Sequence, residues 1–151
     1  MEAVAEELLA AVESAAARLR ALDEAVVARR PAPGKWSAKE VLGHLIDSAA
    51  NNHQRFVRAQ VAGPLVFPEY TQDPWVACQG YNDRPWADLV ELWRAYNRHL
   101  AHLMRTLPDT GREIPCRIGD KPPVTLAWLM TDYVRHFRHH LGRIEKLVGP
   151  A

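Results

Sequence analysis

The chain has 151 residues, 48% of them apolar, which suits one domain with one core spanning residues 1–151. Nineteen Lys and Arg stand against eighteen Asp and Glu, a formal charge of +1, so no broad basic field exists to gather nucleic-acid phosphates. Only two cysteines occur, Cys78 and Cys116, both outside any CxxC pattern, which argues against a disulfide framework and against a thiolate-rich zinc knuckle.

The opening MEAVAEELLAAVESAAARLR carries acidic residues throughout and no continuous apolar stretch. It therefore reads as neither a signal peptide nor a membrane span, and a cytoplasmic location is expected. Apolar residues at Val4, Leu8, Val12, Ala15, Leu19, Leu22 and Val26 recur at steps of three and four, the spacing of one helix. RRPAPGKW interrupts it with two prolines and a glycine. Ser37, with Glu40 three residues on, has the pattern of a capping box and predicts a second helix from about Ala38 to Val61.

Prolines at 64, 68 and 74 make residues 62–84 a long, aromatic-rich connection with short turns. A third helix is expected to start between Asn82 and Trp86, with Asp83 as cap and Pro85 in the initial turn. It continues through Leu89, Leu92, Trp93, Tyr96, Leu100 and Leu103 and stops at Leu107 and Pro108. REIPCRIGDKPPV reads as a short extended excursion turned at Gly119 and Asp120, with Pro122 and Pro123 limiting any strand. Thr125 caps a fourth helix, whose stripe is Leu126, Met130, Phe137, Leu141, Ile144 and Val148 and whose end is the terminal GPA. Four amphipathic helices bury their stripes most simply as an all-α four-helix bundle. The second connection is long enough to cross the length of the bundle, which favours a long crossover over a simple up-down-up-down chain.

Three of the seven histidines fall in YVRHFRHHLGRI. At about 100° per residue, His140 lies about 40° from His136, and both lie on the inward edge of the stripe, whereas His139 points almost opposite. His136 and His140 are i and i+4, close enough for two imidazoles to share an ion. On the second helix His44 sits at the edge of another stripe, beside a polar seam of Asp47, Asn51 and Arg55. Three neutral imidazoles with room for water would form an open divalent-ion site. Packing offers another account of each histidine. His99 leans inward beside Tyr96 and Leu103 and is a rival ligand or a packed core histidine; His53, His102 and His139 read as surface residues. Asp47 is a ligand, a carboxylate orienting a ligand ring, a proton acceptor, or an exposed helix charge. Trp36, Trp75, Tyr81, Trp86, Trp93 and Trp128 form an aromatic set for packing or for a pocket mouth. Cys78 lacks a basic activator.

WSAKEVLGHLIDSAANNHQRF followed some ninety residues later by TLAWLMTDYVRHFRHHLGRI resembles the DinB-like superfamily, in particular its YfiT-like metal-dependent hydrolase branch. TQDPWVACQGYNDRPWADLVELW resembles the same branch, and the likeness covers nearly the whole chain. The resemblance implies a bundle of up-down-down-up connectivity, usually dimeric, that holds nickel, zinc or a similar ion on three histidines. By motif match these are His44, His136 and His140. It further implies a hydrolase or a low-molecular-weight-thiol transferase. From the residues themselves, Asp47 is the catalytic candidate for chemistry on a small molecule, with Tyr133 and Asn51 as further polar contacts. The sequence reads as one compact domain, without the additional C-terminal domain of some thiol-dependent isomerases, an expectation that weakens that substrate assignment. The competing expectation is a non-catalytic module in which the ion organises a ligand pocket or stabilises a homodimer. Neither nucleic acid nor membrane is an expected partner.

Overall fold

A computed structural model of the chain describes residues 1–149; Pro150 and Ala151, the last part of the expected helix stop, lie outside the described residues. The first helix, α1 (Glu2–Arg20), buries Leu8, Val12, Ala15 and Leu19 as its spacing requires. It does not continue to Val26. Asp23 accepts a hydrogen bond from the Ala25 backbone N–H at 2.8 Å and starts a separate helix, α2 (Glu24–Ala28), which buries Val27 in place of Val26. A short acidic side chain that satisfies a free helix N–H restarts the helix here, and apolar periodicity cannot register that break.

The second long helix, α3 (Ala38–Ala62), begins with the expected capping box: Ser37 N–H donates to Glu40 Oε2 at 2.8 Å and Glu40 N–H to Ser37 Oγ at 3.2 Å. The connection after it contains more structure than its prolines suggest. It forms a strand, β1 (Leu65–Phe67), then α4 (Gln72–Gln79) and a 3-10 turn at Tyr81–Asp83. Pro74 is accommodated because it lies in the first turn of α4, where its missing N–H has no intrahelical partner to lose. The helix α5 (Trp86–Arg105) starts from Pro85 with no side-chain cap; Asp83, the expected cap, is held inside the 3-10 turn. Its last residue is Arg105, short of the expected stop at Leu107.

The excursion forms β2 (Pro115–Ile118) and β3 (Val124–Thr125), turned at Gly119 with φ +60°. Together with β1 they make a small sheet of order β1-β2-β3, in which Leu65 pairs in parallel with Cys116, and Cys116 pairs in antiparallel with Val124. This sheet ties the crossover to the segment that feeds α6 (Leu126–Val148), whose Trp128 N–H is capped by Thr125 Oγ1 at 3.1 Å.

Side-chain pairs fix the helix directions. Glu2 meets Arg105, Glu13 meets Arg94 and Arg20 meets Glu91, so α1 and α5 run antiparallel. Glu7 meets Arg138 and Arg18 meets Glu145, so α1 and α6 run the same way. Trp93 stacks on Phe137 and Asn97 meets Tyr133 between antiparallel α5 and α6, while Phe56 packs on Tyr133 between antiparallel α3 and α6. Helices α1 and α6 thus point one way and α3 and α5 the other. Most of these ion pairs are exposed and contribute little stability; the core of Leu8, Leu42, Leu45, Phe56, Trp93, Met130 and Phe137 carries the fold by apolar burial. Among the described residues no helix is long and apolar enough to cross a membrane.

Candidate metal centre

His44 projects from α3, and His136 and His140 from α6, where these two helices pack antiparallel. One ligand atom from each of the three rings lies within 4.8 Å of the others. Nε2 of His44 stands 3.2 Å from Nε2 of His136, and the three ring centroids are 4.4 to 5.3 Å apart. His139, next in sequence to His140, is exposed and takes no part in the group. The i and i+4 spacing on α6 thus brings both rings to one side, and α3 supplies the third.

Burial is the largest influence on all three rings and favours their neutral, ligating form. It lowers His44 to about 4, assisted by His136 and Arg143, and lowers His140 to about 3, assisted by the other rings and Arg143. His136 is also lowered by burial, partly countered by Asp132. Near neutral pH the cluster therefore offers three uncharged nitrogen donors, the ligand chemistry that suits zinc and nickel. His44 turns its Nε2 toward His136, which makes Nε2 the donor atom for an ion, while its Nδ1 is buried with no hydrogen-bond partner among the described residues. The residues present fit a divalent ion. Trp36 flanks His44 at 5.3 Å between ring centroids, and Arg143 lies over Trp36 with its Nη1 3.4 Å from His140 Nδ1.

Asp47 is buried as well, but it faces a different group. Its Oδ1 accepts hydrogen bonds from the Tyr81 hydroxyl and the Gln79 amide, both at 2.7 Å, while Oδ2 has no partner. Burial raises the Asp47 carboxyl above its ordinary range, and the two hydrogen bonds oppose that rise. The Asp47 side chain therefore anchors the crossover to α3 one helical turn from His44, outside the three-ring group.

His99 does not occupy the core. It is exposed and packs edge-on against His53, at 5.0 Å, which in turn meets the Tyr96 hydroxyl at 3.2 Å. The inward lean of His99 fails on the helical angle: the buried face of α5 centres on Asn97, which donates to the Trp93 carbonyl and accepts from the Tyr133 hydroxyl, and His99 falls about 200° from it, beyond the half-buried edge marked by Tyr96 and Leu103. Asn51, expected as a polar contact of the site, donates to the Asp47 backbone carbonyl instead.

A cleft of about 1000 Å³ opens beside the imidazoles and includes His44 and His136 in its wall. Helix α3 adds Ser48, Asn52 and Arg55, α6 adds Trp128, Asp132 and Tyr133, and the crossover adds Tyr70. Steps of three and four residues suggest one seam of Asp47, Asn51 and Arg55 on α3, but the cleft divides it. Taking His44 as zero, about 100° per residue puts Arg55 near 20°, Ser48 near 40° and Asn52 near 80°, whereas Asp47 falls near 300°. The true cavity stripe was therefore readable from the angles, but the crossover and β-sheet that roof it were not.

Residues 3–144 match the family model described as the DinB superfamily. A curated relative from Oceanobacillus iheyensis, named "Putative metal-dependent hydrolase", is 26% identical over 114 residues, covering 76% of this chain and 66% of the relative, just under two thirds of its length. Among solved structures, YfiT from Bacillus subtilis, described as "a probable metal-dependent hydrolase with an unusual four-helix bundle topology", superposes with a TM-score of 0.79. That match is 23% identical and covers 97% of this chain and 82% of YfiT; it shows a shared fold.

Proposed function

This chain belongs to the DinB superfamily, and from that membership we propose that it is a metal-dependent hydrolase of a small molecule, with one divalent ion, zinc or nickel, held by His44, His136 and His140. The observation that carries the reading is the convergence of three imidazoles from two helices, His44 and His140 buried and His136 half-buried, with His44 and His136 in the wall of a cleft large enough for a small substrate. The name of the Oceanobacillus relative supports the hydrolytic class.

An ion in such a site supplies Lewis acidity toward a polarised oxygen of the scissile group. The chain's own residues supply the rest. His44 and His136 present the reacting end of the cleft, and Tyr133 is fixed by its hydrogen bond to Asn97 at 2.5 Å. Trp128, 50% exposed, offers an aromatic surface at the cleft for the apolar part of a substrate. Asp47 acts as a positioning residue, since it holds Tyr81 and Gln79 against the turn of α3 that carries His44.

Zinc- and nickel-loaded protein tested on panels of carboxylic esters, amides and phosphate esters will hydrolyse at least one class, with kcat/KM reduced 100-fold or more in His140→Ala. Equal background rates for metal-loaded parent, His140→Ala and metal-free protein on every class would overturn the assignment.

A further inference from the structure

The cleft contains four charged side chains besides Arg55, and two of the anions among them are already neutralised: Glu69 pairs with Lys121, and Asp132 pairs with Arg135. Asp73 is exposed. Arg55 has no carboxylate partner within ion-pair distance among the described residues. Among the described residues its only side-chain hydrogen bond is a long one, 3.4 Å from Nη1 to Asn52 Oδ1, and its Nε is buried without a partner. The guanidinium is held in place by lying over the Phe67 ring at 5.5 Å from the centroid. Burial of a cation without a counter-ion is unfavourable, and here it depresses the Arg55 pKa, with Glu69 and Tyr70 opposing. A guanidinium positioned on an aromatic face, partly desolvated and with free donors, is a prepared receptor for a planar anion.

We propose that Arg55 is a specificity-determining residue that binds a carboxylate at the end of the substrate remote from the three imidazoles. Arg55 and His44 lie on the same face of α3 and both line the cleft, eleven residues apart, so their α-carbons are separated by about 16 Å along the helix. The preferred ligand is therefore elongated, with a metal-directed group at one end and a carboxylate at the other. Its metal-directed end rests on the function proposed above; its carboxylate end does not.

The test uses the monohydroxamates of suberic and succinic acid, each beside the methyl ester of its free carboxylate, with binding followed by calorimetry to zinc-loaded and to metal-free protein. In the zinc-loaded parent, suberic monohydroxamate will bind at least tenfold more tightly than its methyl ester, and the succinic pair, too short to engage both ends, will show no such difference. Arg55→Gln abolishes the preference and Arg55→Lys keeps part of it. Arg58→Gln, an equal loss of charge at an exposed residue bonded to Gln54, leaves it intact. In metal-free protein the carboxylate preference persists at lower affinity, so a failure of the metal reading removes the hydroxamate contribution alone. Absence of a carboxylate preference in the parent, or its equal loss in Arg58→Gln, would overturn the assignment of Arg55 whether or not the metal binds.

Discussion

Replacing Gly43 by alanine should weaken the fold even though alanine is the better helix former. Gly43 lies inside α3 next to His44, where glycine is less favourable than alanine by about 1 kcal/mol. A Cβ at this position would stand 2.1, 2.3 and 2.5 Å from three ring atoms of Tyr81, so the ring must move. The ring is 6% exposed, and its hydroxyl donates to Asp47. Loss of a hydrogen bond to a buried carboxyl costs roughly 1.5–3 kcal/mol and overpacking roughly 1–3 kcal/mol. After the gain in propensity, the net destabilisation is about 1.5–5 kcal/mol, a fall in Tm of roughly 3–20 °C for a chain of this size. Urea unfolding of metal-free protein, followed by far-ultraviolet circular dichroism, measures it directly. In a Tyr81→Ala background the obstruction is gone and the sign reverses, with Gly43→Ala stabilising by up to about 1 kcal/mol. A stabilising Gly43→Ala in the parent, or an equal destabilisation in both backgrounds, would show that the Tyr81 ring does not obstruct this position.

Acid should destabilise the metal-free protein through the histidine cluster. Unfolded imidazoles take up protons near 6.5, whereas folded His44 and His140 do so only near 4 and 3, so between these values the unfolded chain binds more protons and stability falls as pH falls. From pH 6 to pH 5 the loss is on the order of 2 kcal/mol, and His44→Gln or His140→Gln flattens the profile in urea titrations at each pH. Ser37→Ala removes the α3 cap and the 2.6 Å hydrogen bond to Asn82, lowering stability by about 1–2 kcal/mol in the same assay, with Ser37→Thr losing less. Tyr133→Phe leaves Asn97 Oδ1 buried without its donor and lowers stability by about 1–3 kcal/mol, while metal content, measured alongside, stays at the parent value.

The parts of this structure legible in the sequence were those set by local rules. The Ser37 capping box, the Thr125 cap and the α6 stripe each depend on residues within one or two turns of each other. The meeting of His136 and His140 is likewise a property of one helix, and only the approach of His44 required the tertiary fold. Other features depend on long-range partners that no window contains. The strand β1 exists because it pairs with β2 some fifty residues on, and Lys39, 2% exposed, is tolerated in the core because its ammonium reaches Glu24 and the carbonyls of Asn82 and Arg84. The position of His99 needs only the helical angle taken against the whole α5 stripe: Tyr96 and Leu103 mark its half-buried edge, and His99 lies beyond them on the exposed side. The superfamily membership and the bundle fold are independent of these local readings, since the family match spans residues 3–144 and the YfiT superposition spans 97% of the chain.

The proposed function depends on one ion held by His44, His136 and His140. Elemental mass spectrometry of untagged protein, purified without chelator and then dialysed after zinc or nickel loading, tests it most directly when the parent is compared with His44→Ala, His136→Ala and His140→Ala. The parent should carry about one ion per chain and each variant should lose most of it, with helical circular dichroism retained. A parent that takes up neither metal, or variants that retain the parent's ion, would contradict the three-histidine site.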